Sequence, residues 1–138
     1  KDEELNGENG VVDEKDNVRY DVIQKTKFWN LPDILIICFK RYSFDGNRKE
    51  NKIIDFPIKD LDLSKYILGY NKDSHTYDLY GVCNHSGRLQ GGHYTSFVKT
   101  INDNWYHFND TVVSKVNNTK TIISSKAYCL FYKKKILN

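Results

Sequence analysis

His93 stands behind two glycines in the stretch LQGGHYTSFV, which runs from Leu89 to Val98. A histidine titrates near neutrality, so it can take a proton from a nucleophile and return it to a leaving group. Gly91 and Gly92 carry no side chains, can adopt positive φ and let another backbone approach, which would leave a slim groove beside the imidazole. Further along, the stretch HFND brings Asn109 and Asp110. A catalytic imidazole needs an acceptor on its second nitrogen to fix tautomer and ring orientation, and either side chain can serve. The choice depends on the hairpin between the two stretches: a three-residue loop puts Asn109 on the face of His93, a two-residue loop Asp110. Alternation along the strands leaves both open.

The remaining reactive side chains read more plainly. His85, in NHSG beside the same glycine-rich stretch, reads as a residue that caps a turn; His75 and His107 read as surface or sheet positions. Cys38, Cys83 and Cys129 each lie inside an apolar or alternating run, without a C-x-x-C pair, and read as buried reduced thiols, which implies a reducing compartment. Histidines and cysteines show no close metal-ligand spacing, so neither a metal site nor a cofactor is expected.

Strands must position these groups. Aromatics make up 14% of the 138 residues, β-branched residues are frequent, and the one alanine is Ala127, a composition that favours sheet over helix. The run Ile34 to Phe39 reads as a strand buried on both faces. A turn at Phe44-Asp45-Gly46-Asn47 would return the chain through NKIIDFP as its hairpin partner. LDLSKYI reads as a turn or brief helix. In YDLYGVCNH, alternation puts Tyr77, Leu79, Gly81, Cys83 and His85 on one face and Asp78, Tyr80, Val82 and Asn84 on the other. SGRLQGG reads as a loop, HYTSFVKTI and NWYHFND as two strands joined by a tight turn at Asn102 to Asn104, and KAYCLFYKK as a final inner strand. The expected architecture is an antiparallel meander with little helix.

The charge is uneven. Residues 1–16 carry seven acidic and two basic side chains and read as a solvated, mobile lead-in, leaving 17–138 as a basic folded unit within an overall formal charge of +3. That excess is too mild to imply nucleic acid, and the aromatics read as core rather than as stacking platforms. No run approaches the roughly 20 apolar residues of a membrane span, so no membrane partner is expected.

Taken in order, LPDILIICFKRYSF, IIDFPIKDLDLSKY, YDLYGVCNHSGRLQGGHYTSFVK, WYHFNDTVVSKV and AYCLFYKK resemble the C-terminal half of a ubiquitin-specific protease catalytic domain, a papain-like cysteine protease class. The resemblance spans about Leu31 to Lys133. It implies an α+β, strand-rich fold, the antiparallel palm and fingers sheet of that domain without its helical thumb half. It implies deubiquitination: thiol-dependent hydrolysis of the bond after ubiquitin's C-terminal glycine, in the cytoplasm or nucleus. By position, His93 resembles the catalytic histidine, Asn109 the third member of the triad and Asp110 the polar neighbour that assists. Gly91 and Gly92 would border the channel for ubiquitin's slender tail, with Tyr94 and His85 among the substrate-binding residues. The family's cysteine box has no counterpart here, and Cys38, Cys83 and Cys129 match strand positions, so the nucleophile is expected from a missing N-terminal catalytic half and this chain alone is expected to be inactive. The competing reading is a non-catalytic ubiquitin-binding module; the intact GGHY and FND favour the enzyme.

Overall fold

The computed structural model describes residues 2–70 and 75–136. Two small ribbons come first: β1 (Glu3–Leu5), β2 (Val11–Val12), β3 (Arg19–Tyr20) and β4 (Val22–Gln24) pair as β1 with β4 and β2 with β3. Residues 2–16, expected as a mobile lead-in, thus carry two paired strands, and their side chains stay almost entirely solvated. The rest is built on one seven-stranded antiparallel sheet of β5 (Ile34–Cys38), β6 (Leu61–Asp62), β7 (Thr76–Arg88), β8 (Gly91–Lys99), β9 (Trp105–Asn109), β10 (Val112–Lys115) and β11 (Ala127–Lys134). Its order is β10-β9-β8-β7-β11-β5, with β6 against the start of β7. Among the described residues the only helical turns are short 3-10 segments, such as Ser64–Tyr66 and Thr119–Ile122.

The strand-rich, mainly meandering architecture matches the composition. β11 is the exception to sequential pairing, since it inserts between β7 and β5. One face of the sheet is covered by the segments that connect the strands. Tyr77, Leu79 and Val82 of β7, Trp105 of β9, and Leu130 and Tyr132 of β11 bury there against Leu31, Phe56, Ile67 and Ile122. Two tyrosine hydroxyls tie the covering segments down: Tyr77 donates to the Pro32 carbonyl and Tyr132 to that of Pro57, each at 2.7 Å. A buried hydroxyl left unpaired would cost about 1–3 kcal/mol, so both proline carbonyls act as fixed anchors.

Several local expectations need correction. β5 is not buried on both faces; it is an edge strand whose Ile34, Ile36 and Cys38 are exposed, because only the other face of the sheet is covered. NKIIDFP does not return as its partner. The turn closes through a single bridge, Tyr42 to Lys49, and the chain then runs extended while Arg41, itself buried, holds it by donating to the Glu50 and Lys52 carbonyls at 3.0 and 2.9 Å. SGRLQGG is not a loop: β7 continues to Arg88 and β8 begins at Gly91, leaving a two-residue turn at Leu89 and Gln90.

The faces of β7 also differ from simple alternation. Phe131 pairs with Gly81 but Tyr132 with Leu79, so Tyr80 is an extra residue, a bulge that moves the chain by one position. Tyr77 and Leu79 before it, and Val82 and Asn84 after it, all face the covered side. Gly81, Cys83 and His85 therefore share the opposite side.

Candidate active site

From Gly81 to Arg88 the pairing of β7 with β8 is unbroken, Ser86 facing His93 and Gly87 facing Gly92. β8 then pairs with β9 from Ser96 and Phe108 to Lys99 and Trp105, through a five-residue connection of Thr100 to Asn104. Asp103 adopts a positive φ of 59° in that turn and forms an ion pair with Lys99 at 2.6 Å. The connection is longer than expected, but it is odd in length, so Asn109 shares a face with His93. The next turn, two residues long, places Asp110 at φ 51° before β10 begins at Val112.

The side chains meet accordingly. His93 Nε2 lies 2.5 Å from Asn109 Oδ1, while Asp110 Oδ2 is 4.0 Å from the same nitrogen. An amide oxygen only accepts, so Nε2 carries the hydrogen and Nδ1 presents the lone pair. That is the tautomer a general base needs, with the ring held from behind. The His93 side chain is half exposed and Asp110 is mostly exposed, at 77%. Asp110 therefore sits at the rim, in a solvated setting.

The glycines divide in role. Neither Gly91 nor Gly92 is in the left-handed region; that conformation occurs at Gly87, φ 122°. A Cβ on Gly91 would meet nothing within 4 Å, whereas one on Gly92 would run into the Ser86 carbonyl oxygen and His85 Nε2. A Cβ on Gly87 would come within 2.6 Å of the Gly92 Cα. Gly87 and Gly92 thus form the close approach just before His93, and the sequence reading overlooked Gly87. An isolated glycine opposite a glycine pair was the available signal.

His85, expected to contact substrate, is only 4% exposed and lies underneath. Its Nδ1 accepts from the Tyr42 hydroxyl at 2.6 Å, its ring stacks on Tyr94 with centroids 4.5 Å apart, and Lys49 Nζ donates to its backbone carbonyl at 2.6 Å. Burial, and secondly the Lys49 charge, hold its pKa below the usual histidine value, so it stays neutral. Tyr94 remains 56% exposed and presents the surface that His85 supports. Tyr42 and Lys49 were not anticipated, because only the bridge across the turn brings them to His85.

The three cysteines lie on the face opposite His93. Cys83 pairs with Ser96 in β8 and with Cys129 in β11, and Cys129 pairs with Cys38 in β5. Their expected burial holds only in part: Cys83 and Cys129 are half-buried and Cys38 is exposed at the edge. Among the described residues no cluster of histidine, cysteine and acidic side chains could hold a metal ion, and no helix is long and apolar enough to cross a membrane.

Comparison with known proteins places this arrangement. Residues 3–132 match the family model of ubiquitin carboxyl-terminal hydrolase. The chain is 50% identical over 115 residues to ubiquitin carboxyl-terminal hydrolase 9 of Arabidopsis thaliana, covering 80% of this chain and 12% of that protein. It is 39% identical over 114 residues to ubiquitin carboxyl-terminal hydrolase 15 of Rattus norvegicus, again 80% and 12%. Among solved structures, a SAGA DUB module containing Ubp8, Sgf11, Sus1 and Sgf73 bound to monoubiquitin superposes on all of this chain with a TM-score of 0.79 at 28% identity, over 31% of the matched chain. The Ubp8 module bound to ubiquitin aldehyde gives 0.80 at 28% identity, over 32% of the matched chain. The chain therefore spans about an eighth of these curated relatives and a third of the matched chains. With nearly all of its length matched in sequence and in fold, the chain belongs to the ubiquitin carboxyl-terminal hydrolase family.

Proposed function

We propose that this chain supplies the base side of a cysteine-type deubiquitinase site, with the nucleophilic thiol contributed by sequence outside it. The bond between His93 Nε2 and Asn109 Oδ1 carries the proposal, since it leaves Nδ1 ready to accept a proton. The thiol would pass its proton to Nδ1, and the thiolate would attack the carbonyl carbon of ubiquitin's C-terminal glycine. The imidazolium would protonate the departing lysine amine as the C–N bond breaks. A water, deprotonated by the same Nδ1, would then release the acyl group and regenerate the thiol. Asn109 orients the ring throughout, and Asp110 stands at the rim, 4.0 Å from the same nitrogen. Gly87 and Gly92 fix the close strand approach just before His93, and the exposed Tyr94, on the other face of β8 with His85, offers ubiquitin an aromatic contact there.

Because Cys38, Cys83 and Cys129 all lie across the sheet from His93, none of them fits the nucleophile's place, and the isolated chain is expected to be inert toward ubiquitin. Turnover of a fluorogenic amide at ubiquitin's C-terminus by the full-length protein tests the assignment. His93→Ala should lower it by about 100- to 10,000-fold, the range of general acid–base catalysis; an unchanged rate would overturn it.

A further inference from the structure

Three cysteines sit side by side on three adjacent strands, Cys38 on β5, Cys129 on β11 and Cys83 on β7, and the proposed hydrolysis uses none of them. The outer two positions are not equivalent. The Phe39 amide donates to the Tyr128 carbonyl at 2.9 Å, which makes Cys38 and Cys129 a non-hydrogen-bonded pair, the antiparallel position where Cα atoms come closest, about 4.5 Å. That lies within the span a disulfide bridges without backbone movement, about 4.4–6.8 Å. The sulfurs already face each other at 3.0 Å. We propose that Cys38 and Cys129 form a reversible cross-strand disulfide when the protein meets a hydroperoxide.

The two thiols divide the work. Cys38 is exposed and meets the oxidant. Cys129 is held protonated: burial, and then the hydrogen bond with Cys38, push its pKa up to about 12. Cys38 sulfur attacks the terminal peroxide oxygen, the O–O bond breaks, and the departing alkoxide or hydroxide takes the Cys38 proton, leaving a sulfenic acid. Cys129 sulfur then attacks Cys38 sulfur as its own proton passes to the adjacent sulfenic oxygen, so the S–O bond breaks and water leaves. The peroxide is reduced by two electrons and the thiol pair is oxidised by two. Cys83, half-buried, with its own thiol pKa raised by burial, stays reduced. The bond would fasten the edge strand β5 to β11 and close a loop between positions 91 residues apart.

Each cysteine falls on a separate tryptic peptide, so peptide mapping identifies the pair. The full-length protein is treated with hydrogen peroxide, alkylated, digested and analysed by mass spectrometry. The expected product is the peptide Phe28–Lys40 joined to Ala127–Lys133, lighter than the two together by two hydrogens and separated by a thiol reductant. Cys38→Ser should abolish it, Cys83→Ser should leave its yield unchanged, and Cys129→Ser should leave a Cys38 sulfenic acid that dimedone traps. A bridge from Cys129 to Cys83, oxidation of Cys38 only to sulfinic acid or an intermolecular bridge, or no change at Cys38 would each overturn the proposal.

Discussion

Gly92→Ala isolates the close approach beside His93. The added Cβ would land on the Ser86 carbonyl oxygen and on His85 Nε2, with His85 Cε1 at 3.1 Å. Neither neighbour gives easily. The first is ladder backbone, and the second belongs to a buried ring fixed by Tyr42 on one side and Tyr94 on the other. Overpacking of this kind costs about 1–3 kcal/mol. If the strain is relieved by opening the β7–β8 ladder, amide exchange in β8 around His93 should speed up by roughly 5- to 150-fold, the same free energy read as a local opening constant. The ring of His93 would shift with its strand, so turnover should fall as well. Gly91→Ala is the control, because nothing lies within 4 Å of its Cβ, and exchange and turnover should stay near those of the parent. Hydrogen–deuterium exchange by mass spectrometry resolves the two variants. Equal protection in both would refute the packing argument.

Two further outcomes follow from the hydrogen bonds around the two histidines. Asn109→Ala should cut turnover by about 100-fold or more, while Asn109→Asp keeps an acceptor on Nε2 and much of the rate; Asp110→Asn, at 4.0 Å, should matter less, and a larger loss from Asp110→Asn than from Asn109→Ala would reverse the roles. His85 titrates at lower pH in the folded state than in the unfolded chain, so below about pH 6.5 the unfolded state binds the extra proton first. Its contribution is complete above that value and is lost as pH falls toward the folded pKa; denaturant titrations at pH 7 and pH 5 should show a larger fall for the parent than for His85→Gln, and parallel falls would contradict this.

How much the sequence foretold depended on whether a feature was local. His93 and Asn109 were legible because glycine pairs and an aromatic-Asn-Asp ending mark them in a few residues each, and the strands that carry them follow from plain alternation. The choice between Asn109 and Asp110 stayed open because it turned on the parity of a connection whose length alternation does not fix. β5 was legible as a strand, yet its exposure was not: an apolar run reports that a side chain prefers burial, not that a second layer covers it. NKIIDFP carries strand-forming residues but finds its partners on side chains, the Arg41 guanidinium for the Lys52 carbonyl and the Tyr132 hydroxyl for that of Pro57, which leave no local signature. The displaced residue in β7 did leave a trace, Gly81 inside a run of large side chains, which is how bulges often announce themselves.

That one unpaired residue behaves like a shift of reading frame. Before Tyr80 the odd-numbered positions of β7 point inward; after it the even-numbered ones do, and the new phase passes without interruption through β8 to His93. Substitutions can alter what stands at each position but not the phase in which the positions are read. Losing Tyr80 would restore plain alternation and leave His93 on its present face, whereas losing one residue between Val82 and Ser86, where the ladder has no slack, would turn the downstream strand over and carry the histidine to the side where the cysteines now lie. The connection between β8 and β9 obeys the same arithmetic: lengthening or shortening it by two residues preserves the meeting of His93 and Asn109, whereas a change of one separates them. Length variation in that connection is therefore expected to accumulate in even steps, a constraint on insertions and deletions that no single side chain reveals.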